Sequence, residues 1–278
     1  MKLSHSHINV AFRGRGMRNY SIYLWVIISQ LFLTAVVLSQ RPTPVIETTP
    51  SEAAGLSFLY TALVFVTAFI MVYIIRKRMY RLLRGIFTVF LFYASFISLT
   101  ELFSYFGIFC YLDLSLGCAI TVISSLAITA LSFRRDHLGN LAKTILAASI
   151  AFLFISFFND TFAYFVLTFL AAYDTYSVFR GPLSKILMVK EGDPLEPLMI
   201  THGEVSMGLG DLFSYSLAAG ASIRGFGLPI GLIPVAALDL GVALTLYLLQ
   251  RRRGSLPGLT IPVALWGATS LLLHLSPL

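Results

Sequence analysis

Long apolar runs alternate along the chain with short polar punctuation. Runs bounded by charged or turn-forming residues fall at about 20–39, 53–75, 86–105, 112–133, 140–157, 160–179, 204–223, 228–249 and 257–275. Each approaches the roughly 20 apolar residues that an α-helix needs to cross the hydrocarbon layer of a bilayer. The pattern predicts an all-α, polytopic integral membrane protein of nine transmembrane helices. Residues 1–19 form an N-terminal tail and 20–278 a single membrane domain. Helices one to six occupy about 20–179, a partly apolar cytosolic loop about 180–203, and helices seven to nine about 204–275. Only a tight turn around Asn159 and Asp160 separates the fifth and sixth segments, and the Pro/Thr/Glu-rich stretch Arg41 to Glu52 reads as an exposed loop.

Composition agrees with this pattern and removes its rivals. At 57% hydrophobic and 12% charged residues, the 278-residue chain has about half the charge of a soluble domain. It is also too apolar for disorder. A net charge of +7 would suggest nucleic acid in a soluble protein, but here the basic residues sit in short runs between apolar segments. Assigned to alternate sides of nine crossings, 18 of the 20 Lys and Arg fall on one side, leaving only Arg41 and Arg224 on the other. Under the positive-inside rule this puts the N-terminus in the cytosol and the C-terminus outside. The first segment lacks an evident small-residue cleavage site and reads as a retained helix. Cys110 and Cys118 have neither disulfide-framework nor zinc spacing, so no metal or cofactor is expected, and no nucleic-acid partner.

Ionisable groups inside apolar helices cost about 2.5–3.5 kcal/mol each on insertion scales, so each calls for a reason. Glu101, Asp113 and Asp160 lie near segment ends, where they can reach the interface. Asp239 stands in segment eight with no motif around it and reads as a structural hydrogen-bonding group or neutral acid, with a polar path as the alternative. His202 and His274 lack metal-ligand spacing. The basic run Arg76 to Arg84 is a topology anchor, with anionic-lipid contact as a secondary role. Asp174 and Asp211 differ from all of these. They lie several residues inside neighbouring antiparallel segments, at similar depth toward the cytosolic side, and can face one another. Two carboxylates held close together share a proton. One then serves as general base on a water and the other as general acid toward a carbonyl. Paired carboxylates also serve ion-coupled transporters, so spacing alone leaves both readings open.

The surrounding residues narrow the choice. Tyr173-Asp174, Gly208-Leu209-Gly210-Asp211 and Pro257-Gly258-Leu259 resemble, in order and on the sixth, seventh and ninth segments, the Y-D, G-x-G-D and P-A-L motifs of the presenilin and signal peptide peptidase family of intramembrane aspartyl proteases. Two flanking stretches resemble the presenilin branch in particular: Gly181-Pro182-Leu183 beyond Asp174, and Tyr215-Ser216 beyond Asp211. The cytosolic N-terminus is similar to that branch too. A compact chain of this kind resembles the microbial, archaeal homologues. The resemblance covers residues 160–275 well; the first five segments match only in number and character. One departure is Gly258, where the family has Ala. Pro262-Val263-Ala264-Leu265 is a poorer match, because the basic run Arg251 to Arg253 precedes Pro257 as a basic pair precedes the presenilin motif.

The resemblance implies a catalytic pair, Asp174 and Asp211. It further implies a substrate site drawn from Tyr173, Gly208, Leu209, Gly210, Pro257, Gly258 and Leu259. Gly208 and Gly210 would remove bulk beside Asp211, for substrate or for close helix packing. Pro257, lacking an amide donor, would break the start of the ninth helix and leave backbone near the pair. Substrates would be transmembrane helices with their N-terminus outside, cut within the bilayer near the cytosolic side. Auxiliary subunits would not be required, and the short loop Arg180 to Gly203 would stay uncut. A secondary transporter remains the rival from another class, though it lacks evident inverted repeats. A prepilin-type peptidase, which also carries Gly-x-Gly-Asp, is a second, and an inactive protease-like scaffold a third.

Overall fold

The computed structural model describes residues 21–39, 42–111, 113–180, 195–202, 205–251 and 256–276. Helices run α1 Ser21–Ser39, α2 Pro50–Arg76, α3 Tyr80–Tyr105, a single turn α4 Ile108–Tyr111, α5 Leu114–Ser132, α6 His137–Phe157 and α7 Asp160–Arg180. After a 3-10 turn at Glu196–Leu198 come strands β1 Met199–His202 and β2 Val205–Gly208, then α8 Leu209–Phe226, α9 Leu232–Arg251 and α10 Thr260–Leu275. Among the described residues nine helices have 16 residues or more, one for each predicted segment. Seven of them (α1, α2, α3, α5, α6, α7 and α9) are long and apolar enough to cross a membrane. The protein is an integral, multi-pass membrane protein.

The two long helices outside that set show how the bundle is built. Helix α8 is the hub: α1, α6, α7 and α9 all pack on it, and every residue from Leu212 to Ile223 is buried. A helix that touches protein on all sides needs small residues for close approach more than it needs hydropathy, and the run Ala218-Ala219-Gly220-Ala221 supplies them. Its serine hydroxyls are satisfied within the helix, Ser214 to the Gly210 carbonyl (2.9 Å), Ser216 to Leu212 (2.9 Å) and Ser222 to Ala218 (2.8 Å). No buried donor among them is thereby left to the hydrocarbon. Helix α10 is short because the residues before it, Pro257 to Leu259, are not helical. It packs on α9 and α7. A Cβ at Gly241 of α9 would lie 2.5 Å from the Cα of Pro262, so glycine is what permits that backbone approach.

Local chemistry sets the helix ends. A reciprocal capping box opens α2: the Thr49 amide donates to Glu52 Oε2 (2.9 Å) and the Glu52 amide to Thr49 Oγ1 (3.4 Å). Asp136 caps α6 by accepting from the Gly139 amide at 2.9 Å, and this hydrogen bond, with Arg134 beside it, holds the Asp136 carboxyl below the ordinary carboxylate range. The Pro/Thr/Glu-rich loop is docked on the α6–α7 turn. The Val45 and Ile46 amides donate to Ser156 and Phe157 carbonyls (3.1 and 2.9 Å), and the side chains of Thr48 and Asn159 hydrogen-bond while Asn159 also donates to the Thr48 carbonyl. Asp160 is ion-paired rather than merely solvated: Arg224, at the end of α8, reaches it at 2.7 Å and also donates to the carbonyls of Ile155 and Phe158.

The main departure from the sequence reading lies at the seventh segment. The apolar pattern predicts a continuous helix from about 204, whereas 199–202 and 205–208 pair as antiparallel strands with Met199 opposite Gly208 and His202 opposite Val205. Ile200 and Met207 on the pair's inner face are buried, which makes the stretch as apolar as a helix end. Helix α8 therefore begins at Leu209, and Asp211 sits in its first turn rather than several residues inside. The N-terminal tail and most of the 180–203 loop lie outside the described residues.

Candidate functional site

Asp174 and Asp211 reach the same place by different routes. Asp174 stands on α7 fourteen residues after its first residue, about 21 Å along the helix. Asp211 is the third residue of α8, and its Oδ2 accepts from the Gly208 amide at 3.3 Å. Both carboxylates contact the non-helical strap Pro257 to Leu259. The Leu259 amide donates to Asp174 Oδ2 at 2.9 Å. A Cβ at Gly258 would fall 3.0 Å from both Cγ and Oδ2 of Asp211 and 3.1 Å from Oδ1. The same strap thus touches both acids.

The strap is itself held. Tyr215 lies one helical turn beyond Asp211 on the same face of α8 and is buried. Its hydroxyl donates to the Gly258 carbonyl at 2.8 Å. Beyond the strap, Thr260 at the start of α10 shares a 2.6 Å hydrogen bond with Thr175, the neighbour of Asp174. Farther along, Trp266 Nε1 donates to Ser222 at 2.7 Å, fixing α10 against α8. One carboxylate comes from α7, the other from α8, and a short non-helical segment is bonded to both helices.

The residues expected at the site separate into two groups. Gly208, Pro257, Gly258 and Leu259 stand with Asp174 and Asp211. Tyr173 instead meets the Phe65 ring of α2 edge-on, centroids 5.8 Å apart. Leu209 is packed in the hydrophobic core. Neither Gly208 nor Gly210 is a tight-packing position: a Cβ at Gly210 would meet nothing within 4 Å, and one at Gly208 would make only ordinary contact with Asp211 at 3.5 Å. The glycine under real constraint is Gly258, the one that departs from the expected motif.

Other groups singled out by sequence lie elsewhere. Asp239 on α9 faces the buried Gln30 of α1. His274 packs on Phe226 at 4.7 Å and His202 on His137 at 5.9 Å. Among the described residues no group of three His, Cys, Asp or Glu is arranged to hold a metal ion. Two elements of the site go beyond the sequence reading. One is the Tyr215 hydroxyl, which sequence marks only as part of a motif context. The other is the 199–208 hairpin, whose strands flank a Gly-led two-residue connection in the sequence.

No family model and no curated protein sequence matches the chain. Solved structures do. A structure of a presenilin family intramembrane aspartate protease in space group C222 superposes with a TM-score of 0.61 at 19% identity, covering 93% of this chain and 98% of that one. A structure of such a protease in space group P2 gives 0.57 at 18% identity over the same shares. Over nearly its whole length, the chain has the fold of the presenilin-family intramembrane aspartate proteases.

Proposed function

We propose that this protein is an intramembrane aspartyl endopeptidase that hydrolyses peptide bonds within transmembrane helices through Asp174 and Asp211. The observation that carries the reading is the pair of carboxylates flanking the Gly258–Leu259 backbone, one bonded to it at 2.9 Å and the other against its glycine. With one acid ionised and the other protonated, the first removes a proton from water as the oxygen attacks the scissile carbonyl. The second delivers its proton to the carbonyl oxygen. Collapse of the tetrahedral intermediate reforms the C=O bond, breaks C–N, and releases an amine protonated from the dyad. The two carboxylates and one water account for every proton moved.

A helical substrate has its carbonyls occupied, so it must unwind before attack. The hairpin offers the extended stretch a place to go. Met199 and Thr201 of β1 turn their backbone groups away from β2, so their partners Gly208 and Ser206 turn theirs away from β1. Ser206 is exposed. A substrate strand added along β2 would run directly toward Asp211, which lies three residues beyond Gly208. Backbone of this kind is tolerated at membrane depth where protein or a wet cavity surrounds it. The charge count supports a cytosolic N-terminus and substrates whose N-terminus is outside. The chain works uncut and without auxiliary subunits.

The test uses purified protein in liposomes with a single-span substrate. Asp174→Ala and Asp211→Ala should each lower cleavage by at least about 10²-fold, and a transition-state aspartyl inhibitor should block the wild type. Cleavage that persists in either variant would end the assignment.

A further inference from the structure

Helix α6 carries a lysine that the hydrolytic chemistry does not use. Lys143 is fully buried and Asn140, one turn before it, almost so. A buried ammonium is costly unless hydrogen-bonded. Lys143 Nζ donates to the Met199 carbonyl at 2.9 Å and to the Arg134 carbonyl at 3.3 Å. Asn140 does more. Its Nδ2 donates to the Thr201 carbonyl at 3.0 Å while its Oδ1 accepts from the Thr201 amide at 3.4 Å. The side-chain amide thus stands in for one residue of a neighbouring strand.

The spacing makes the two contacts a unit. Met199 and Thr201 are alternate residues of β1, so their carbonyls lie on the same edge. Asn140 and Lys143 are three apart on one helix face. A third tie comes from Arg135, ion-paired with Glu196 just before β1. The outer edge of β1 is therefore occupied by α6, and the sheet can grow only at β2.

We infer that Asn140 and Lys143 are positioning residues that fix the register of the hairpin, and through it determine which peptide bond of an added substrate strand reaches the dyad. This rests on the proteolytic reading above. A strand that slips must move by two residues to keep its faces, because a one-residue slip inverts every side chain. Loosening the clamp should therefore redistribute cleavage in steps of two residues.

The experiment compares full-length wild type with Asn140→Ala and Lys143→Met, using mass spectrometry of both products from a single-span substrate. In variants that still bind a transition-state inhibitor like wild type, cuts two residues from the main site should rise at least about fivefold in relative share. An unchanged distribution of cuts in both variants overturns the inference, as does slower cleavage at the unchanged site. Should Lys143→Met fail to fold, Asn140→Ala, which carries no charge change, decides alone. Hydrogen exchange of the Thr201 amide is read in parallel and does not depend on activity. It should quicken at least about tenfold in Asn140→Ala, and equal exchange would sink the clamp even if the protein is no protease. Loss of the dyad's activity assignment with quickened exchange would instead retain the clamp and remove only its link to substrate.

Discussion

Replacing Tyr215 by Phe removes one oxygen and leaves the ring in place, so it tests how far the strap depends on α8. The hydroxyl bonds the Gly258 carbonyl at 2.8 Å, and the next residue's amide bonds Asp174 at 2.9 Å. Without the hydroxyl, that carbonyl loses its donor, at a cost of about 1–3 kcal/mol for an unpaired buried acceptor. If the strap relaxes to seek another partner, the penalty falls on the geometry between the two carboxylates. It then appears in the chemical step as about a 5- to 150-fold loss of kcat, with KM nearly unchanged because the strand-docking edge is untouched. Ser222→Ala is the matched control. It removes the acceptor for Trp266 Nε1 (2.7 Å), also in the core of α8, but about 16 Å farther along the helix than Asp211. Both variants should lower the melting temperature, and only Tyr215→Phe should lower kcat. Wild-type kcat in Tyr215→Phe, or an equal loss in Ser222→Ala, would refute the reasoning.

Three further outcomes follow from the packing. Gly258→Ala restores the residue the motif usually carries, yet its Cβ would press on Asp211 at 3.0 Å; a few tenths of an ångström of displacement, at the lower end of the ~1–3 kcal/mol for overpacking, should reduce kcat and inhibitor affinity together, and unchanged values would mean that Asp211 yields freely. Gly241→Ala forces side chain against backbone at Pro262, 2.5 Å away, so thermal stability should fall by about 1–3 kcal/mol or more, and a melting curve like wild type would contradict the close α9–α10 contact. Asp136 is held below the ordinary carboxylate range by the Gly139 amide, so its stabilising cap is present at neutral pH and lost as pH falls through its folded pKa; Asp136→Asn keeps a cap without the titration and should flatten the acid side of melting temperature against pH.

Much of this is legible in the chain because the bilayer imposes its own grammar. Among the described residues each of the nine apolar runs carries a long helix, and Pro257 marks where the last of them cannot begin. The hairpin is hidden for a physical reason: four-residue strands with Ile200 and Met207 turned inward look like the leading end of an apolar segment, and tertiary contacts with α1, α6 and α8 favour strand. In the sequence Lys143 is simply one more basic residue near the cytosolic side, since burial of an ammonium among carbonyls has no local signature. Tyr215 can be noticed by context, but its partner lies 43 residues away. The glycines show the limit most clearly. Of the three motif glycines, Gly208 and Gly210 stand out in the sequence, while the one whose added Cβ would press on Asp211 is Gly258.

The burial of α8 on every side also bears on how the protein is made. A segment with Asp211 in its first turn and Arg224 in its last, and whose centre is rich in alanine, glycine and serine, offers a translocon little reason to release it into lipid by itself. It follows α1 and α6 in synthesis, and those helices form much of its coat. Its partners in the nascent chain are thus already present when it emerges, and its membrane integration becomes an act of assembly rather than of partitioning. The helix that bears one of the two acids would then enter the bilayer only as part of an assembled bundle, so a chain that misassembles would fail to place Asp211 in the membrane at all.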